Sequence, residues 1–203
     1  MKYEWRKQDK ALYGAKKYPA LITIPAQSGK GNPNDVDFSN RVGALYSLAY
    51  AVKSSYKAVS LQEEIHDFAV YPLEGIWTKI NEDYLDKSKL EYTIMIRQPD
   101  FISEEMVNEA LGMVRIKKPN PLLEEIHFET MQNGLCVEVL HVGAFDDEPV
   151  SFEKMDQFSA AHGLRRSENY HREIYLSNAN RVEKSKLKTI LRYSVEQIPA
   201  GRV

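Results

Sequence analysis

The chain of 203 residues carries 27 Lys and Arg against 29 Asp and Glu, a formal net charge of −2 at pH 7. At 43% hydrophobic and 28% charged it has an ordinary globular composition, which excludes disordered, collagenous and coiled-coil classes. One cysteine excludes a disulfide framework and a multi-cysteine zinc site, and the balanced charge offers no basic surplus for nucleic acid.

A chain of this length buries roughly 70% of its unfolded surface, enough for a core without staples. No stretch approaches about 18 consecutive apolar residues, so no membrane span is expected. Met1-Lys2-Tyr3-Glu4-Trp5-Arg6-Lys7 lacks the apolar run of a signal peptide. With a free thiol, the expected location is the cytoplasm.

Residues 1–18 are charged and aromatic without a clear period, and read as an arm packed across one domain at 19–198, with a tail at 199–203. Leu21-Ile22-Thr23-Ile24, bounded by Pro19 and Pro25, predicts a strand. Residues 28–34 are rich in turn formers and predict a loop. Val42, Leu45, Tyr46, Ala49 and Val52 recur at helical steps, so Phe38 to about Tyr56 predicts a helix capped by Asp35 or Asp37.

Ala69 to Thr78 and Glu91 to Arg97 read as strands joined by a polar run. A helix follows from Ser103 to about Ile116, stopped by Pro119 and Pro121. Glu124 to Thr130 and Leu135 to Val142 predict a hairpin across Gln132-Asn133-Gly134. A third helix runs from Pro149 to about His162, with Phe152, Met155, Phe158 and Ser159 inward and Gly163 as its cap. Tyr170 to Leu176 and Thr189 to Val195 complete the strands.

This order repeats. Strand, helix, strand, strand occupies about 19–98 and again about 133–198, around an inserted helix and strand at about 99–132. Glu74-Gly75-Ile76-Trp77 answers Arg172-Glu173-Ile174-Tyr175, and Thr93-Ile94-Met95-Ile96-Arg97 answers Thr189-Ile190-Leu191-Arg192. The expected fold is α+β, a duplicated βαββ with pseudo-two-fold symmetry and a central ligand cleft between the halves.

Strand alternation puts Ile174 and Leu176 on one face, which suits the helices, and His171, Glu173 and Tyr175 on the other. A partly desolvated carboxylate between an imidazole and a phenol serves as a general base or a counter-charge for a cation. An exposed strand face with Glu173 paired to a Lys or Arg fits the same pattern. Tyr71, Leu73, Gly75 and Trp77 share a face of the matching strand, Gly75 leaving a space opposite Glu173. Trp77 fits either a cleft wall or the core.

Asp146, Asp147 and Glu148 before Pro149 read as a helix start rather than a metal site. Ser28-Gly29-Lys30-Gly31 lacks the spacing of a phosphate loop. Cys136 reads as a small buried hydrophobe. No metal and no cofactor is expected.

Gly29-Lys30-Gly31-Asn32-Pro33-Asn34, Tyr46-Ser47-Leu48-Ala49-Tyr50, Leu73-Glu74-Gly75-Ile76-Trp77, Gly143-Ala144-Phe145-Asp146-Asp147-Glu148-Pro149 and His171-Arg172-Glu173-Ile174-Tyr175-Leu176-Ser177 together resemble the GyrI-like small-molecule-binding family, in its stand-alone branch. The resemblance runs from about Leu12 to Ile198. It implies a SOUL-type fold with a cleft that takes small lipophilic or aromatic molecules. Related domains form the drug-sensing part of multidrug-responsive activators, where a glutamate among aromatics receives cations. Other relatives hydrolyse cyclopropane-bearing DNA-alkylating genotoxins.

Carried over by motif, the glutamate corresponds to Glu173, the strand aromatic to Tyr175 and the first-half aromatic to Trp77, and Glu173 and Tyr175 are the expected catalytic residues. Gly75, Phe145, His141, His171 and Tyr71 are the expected remaining lining residues. The chain has Trp77-Thr78 where two Trp are frequent, and His171-Arg172 where His-His is common. Fewer than about 20 residues precede the first strand, too few for a helix-turn-helix. The expected partner is a small molecule, neither nucleic acid nor membrane. The expected function is detoxifying hydrolysis or, alternatively, non-catalytic sequestration of cationic drugs.

Overall fold

The computed structural model describes residues 1–9, 21–30, 32–78, 90–132 and 134–199. In chain order its elements are β1 (Lys2–Tyr3), α1 (Trp5–Gln8), β2 (Leu21–Lys30), α2 (Val36–Val59), β3 (Asp67–Phe68), β4 (Leu73–Thr78), β5 (Glu91–Ile96), α3 (Glu104–Lys117), β6 (His127–Gln132), β7 (Cys136–Val142), α4 (Glu148–Ala161), β8 (Leu164–Arg166), β9 (Tyr170–Tyr175) and β10 (Lys188–Gln197).

Local chemistry starts and stops the helices. Asp35 is the extended N-cap residue of α2, and Asp37 complements the positive end of that helix. Ser103 caps α3 by accepting the Met106 amide at 3.3 Å. Pro149 lies in the first turn of α4, and Gly163 ends it at φ +65°, a conformation that favours glycine. The buried stripe of α4 is Ser151, Met155 and Ser159. Phe158 lies about 100° from Ser159 around the helix. It is therefore exposed and stacked on His162 rather than inward as expected.

The main sheet has the order β6-β2-β5-β4-β9-β10-β7, with β8 added to β10. β4 and β9 pair antiparallel at its centre, with Gly75 opposite Glu173 and Trp77 opposite His171. Gly75 also pairs with Ile94, and Glu173 with Leu191. The triplets β2-β5-β4 and β7-β10-β9 are thus related by a two-fold axis through the Gly75–Glu173 pair, α2 answering α4. This is a duplicated βαββ fold. The register equates Ile94 with Leu191, so the sequence match of Ile94 to Ile190 was one residue out of step.

Two strand expectations need correction. β2 runs through Pro25 to Lys30. It pairs with β6 over residues 21–26 and with β5 over 26–30, so the missing N–H of Pro25 falls where only the β6 side is in register. β6 and β7 form no hairpin among the described residues, for they occupy opposite ends of the sheet. Only residues 133–135 separate them, a reach of roughly 14 Å. The sheet must therefore curl until its two ends approach. Met131 of β6 accordingly meets Arg172 of β9 at 3.5 Å, although three strands lie between them in the sheet.

That curl buries both faces and reverses one expectation. The helices cover the face of Glu173, not that of Ile174. Leu45, Leu48 and Val52 of α2 pack with Trp77, Tyr92, Ile94 and Ile96, and Met155 of α4 packs with Leu191 and Tyr193. Ile174 is buried on the inner face of the curl. It shares that face with two ion pairs, Glu74–Arg172 and Glu138–Arg192. Among the described residues no helix is long and apolar enough to cross a membrane.

Candidate functional site

Because α2 and α4 sit on the same side of the sheet, they leave a cleft between them over β4 and β9. Its volume is about 1550 Å³. Phe38 and Tyr46 of α2 form one wall, Phe152 of α4 and Phe145 the other, and Trp77, His171, Glu173 and Tyr175 line the sheet side. Phe38 lies 5.8 Å from Trp77, and Phe145 meets the edge of Tyr175 at 5.8 Å.

A hydrogen-bonded relay crosses the pseudo-axis. The Trp77 indole N–H donates to Tyr175 Oη at 2.8 Å, so the Tyr175 hydroxyl proton is available to Glu173, to which it is bonded. His171 Nε2 is 2.8 Å from Glu173 Oε1 on the other side. Burial, reinforced by the Glu173 and Glu148 carboxylates, holds the Tyr175 hydroxyl well above the usual phenol range. Tyr175 thus stays a donor at any ordinary pH. A carboxylate fed by two donors in an aromatic cleft can accept a proton from water or face a cation.

Gly75 lies beneath this relay rather than in the cleft. A Cβ there would sit 2.6 Å from Trp77 Nε1 and 3.1 Å from Tyr175 Oη. The space expected above Gly75 is therefore filled by the indole of Trp77 and the phenol of Tyr175. Trp77 is both core and cleft wall, 6% exposed and packed in the first-half cluster.

Tyr71 lines the far end of the cleft, its hydroxyl given to Asp9 and its ring stacked on Trp5 at 5.7 Å. His141 does not line the cleft. It is buried behind the loop that carries Phe145, with Nδ1 2.9 Å from Ser151 Oγ and Nε2 2.9 Å from the Ala144 carbonyl. A carbonyl only accepts, so Nε2 carries the proton and Nδ1 accepts from Ser151. Gly143 turns the chain there at φ +147°, and a Cβ at that position would sit 3.4 Å from His141 Nε2.

Sequence reasoning missed Trp5, Arg6, Phe38 and Glu148 as lining residues. The first two belong to the arm, whose lack of periodicity gave no sign of its docking point. Glu148 was absorbed into a helix-start pattern. The structure instead brings Glu148, His171 and Glu173 together, one ligand atom of each lying within 4.8 Å of the others. This is a group of the metal-holding kind that the sequence did not foresee.

A structure of an uncharacterized conserved protein from Listeria innocua is 32% identical, with a TM-score of 0.85, covering 96% of this chain and 100% of that one. A hydrolase encoded by lin2189 from Listeria innocua is likewise 32% identical at a TM-score of 0.85, covering 97% and 100%. The EcmrR C-terminal domain shares the fold at 13% identity and a TM-score of 0.51, covering 89% and 98%. No curated protein matches the chain significantly. The profile of the GyrI-like small molecule binding domain matches residues 22–194, nearly the whole of the duplicated fold, and the chain belongs to that family.

Proposed function

We propose that this protein takes flat lipophilic or aromatic molecules into its cleft in the cytoplasm and detoxifies them by hydrolysis, the reaction being the opening of an activated cyclopropane. The observation that carries the reading is Glu173 held between the Tyr175 hydroxyl and His171 on an aromatic-walled cleft. The Listeria relative described as a hydrolase supports it.

In this reading Trp77 and Phe145 clamp the ligand and Glu173 orients a water. The water oxygen attacks the strained methylene while its proton passes to Glu173. The C–C bond breaks, and its electron pair moves through the conjugated ring onto the ring oxygen. The protonated Glu173 releases the Tyr175 hydroxyl, which turns to stabilise that oxygen until the proton on Glu173 passes to it and restores the carboxylate. Water is added across the broken bond, and nothing is oxidised or reduced.

The lining acids favour a second reading. Asp35, Asp146, Glu148, Glu153, Asp156 and Glu173 outnumber Arg6, Arg166 and Lys184, which suits sequestration of a lipophilic cation with Glu173 as counter-charge. In both readings the partner is a small molecule and not nucleic acid.

A cyclopropane-containing indole alkylator separates the two, with ring-opened product followed by mass spectrometry. Glu173→Gln keeps the shape and is expected to lower turnover by about 100-fold or more. Affinity for a neutral ligand should change little. Unchanged turnover overturns the catalytic reading. No product, with saturable quenching of tryptophan fluorescence by cations, supports the sequestering one.

A further inference from the structure

Glu148, His171 and Glu173 come from two elements that the fold forces together. Glu148 stands in the first turn of α4, while His171 and Glu173 alternate on one face of β9. All three are largely withdrawn from solvent, Glu148 and Glu173 each 8% exposed and the His171 side chain 16%. One imidazole and two carboxylates suit a borderline divalent ion rather than calcium or magnesium, which prefer all-oxygen sites.

The surroundings are built to hold such donors in place. The Tyr175 hydroxyl bonds Glu173, and the Phe152 ring meets His171 edge-on at 4.8 Å. All three donor residues line the cleft, so a fourth position is open to it. Of the cations that line the cleft, Arg166 grips Asp156 at 2.8 and 3.0 Å, and Arg6 lies over Trp5.

We propose that Glu148, His171 and Glu173 bind one divalent ion of the zinc class, whose open position takes an oxygen atom of the molecule in the cleft. The ion replaces the proton shared by His171 Nε2 and Glu173 Oε1. A carboxylate has two oxygens, so an ion on Oε1 leaves the other for the Tyr175 hydroxyl. The inference rests on the reading of this cleft as the ligand site.

The test starts from full-length protein stripped with a chelator. Zinc is titrated by calorimetry and cobalt by visible absorption. One ion per chain is expected, with cobalt bands of tetrahedral or five-coordinate type. Glu148→Gln and His171→Ala should each weaken zinc binding by about 100-fold or more while circular dichroism stays unchanged. Absence of a stoichiometric ion in the wild type, or equal affinity in Glu148→Gln, overturns the proposal. Hydrolysis by a chelated protein that binds no zinc sinks the ion site and leaves the hydrolase standing. Stoichiometric zinc without any hydrolysis does the reverse.

Discussion

Gly75 and Glu173 are directly paired on the pseudo-two-fold axis, so one half of the duplication contributes a carboxylate where the other contributes no side chain. The asymmetry shapes the candidate site. Without a side chain at Gly75, Trp77 can lie over the axis and reach Tyr175 of the opposite half at 2.8 Å. The Trp77–Tyr175 bond on one side of Glu173 thus joins one residue from each repeat.

Gly75→Ala tests this arrangement. The added methyl must displace Trp77 Nε1, which a Cβ would approach to 2.6 Å, and with it the bond to Tyr175. Overpacking of this kind costs about 1–3 kcal/mol. A lowered Tm and a shifted tryptophan emission are expected, with turnover or ligand affinity reduced by about tenfold. An unchanged Tm and unchanged ligand response would show that Gly75 is not holding space for the relay.

Beside that axis pair, on the inner face of the curled sheet, Arg172 Nε donates to Glu74 at 2.7 Å with both side chains 5% exposed or less. Glu74→Ala takes the Glu74 carboxylate from a buried guanidinium and should cost about 3–5 kcal/mol in urea unfolding. Glu74→Leu with Arg172→Met removes both charges and should recover most of that loss. A double variant as unstable as the single one would mean that the pair contributes through geometry rather than charge compensation.

The repeat was legible because alternation, helical periodicity and Gly163 each signal locally. The correspondence of Gly75 with Glu173 follows from the offset between the repeats, and their direct pairing across the axis comes from the register alone. What sequence could not supply was the curl. Alternation separates the faces of β9 but does not say which one the helices cover, and Ile174 looked like the helix side because the inner face is buried too. Asn133-Gly134 reads locally as a hairpin turn, since nothing local tells a turn within a sheet from a link between its two ends. Alternation along β4 and β9 groups Trp77 with Gly75 and His171 with Glu173 and Tyr175, and the structure sets Trp77, His171, Glu173 and Tyr175 on the cleft. Trp5, Arg6 and Glu148 come from elements brought in by tertiary packing, where no periodicity points to a cleft.

Docking of the arm should depend on alkaline pH. Tyr3 donates to Asp9 at 2.6 Å, and its hydroxyl is pushed up to about 12, first by burial and then by that bond and the Asp9 charge. Its folded value lies above the unfolded value of about 10. The stability it lends is complete below pH ~10 and is lost as pH rises from there to about 12. Emission from Trp5, read against a Trp5→Phe control, should report undocking in that window. Tyr3→Phe should remove this part of the pH dependence. A profile identical in Tyr3→Phe would assign the transition to other groups.

His141 should act on ligand through Phe145 rather than by contact. Both its ring nitrogens are occupied, one by Ser151 and one by the Ala144 carbonyl next to Phe145. His141→Ala leaves those two partners unsatisfied and frees the loop, so the wall that Phe145 sets against Tyr175 loosens. Kd or KM should rise by about tenfold while kcat changes far less, because the Glu173 relay is untouched. Phe145→Ala should reproduce the same rise, and His141→Ala in that background should add little, since residues acting through one another are not additive. Full additivity of the two substitutions would instead mean that His141 meets the ligand itself, which its place behind the loop opposes.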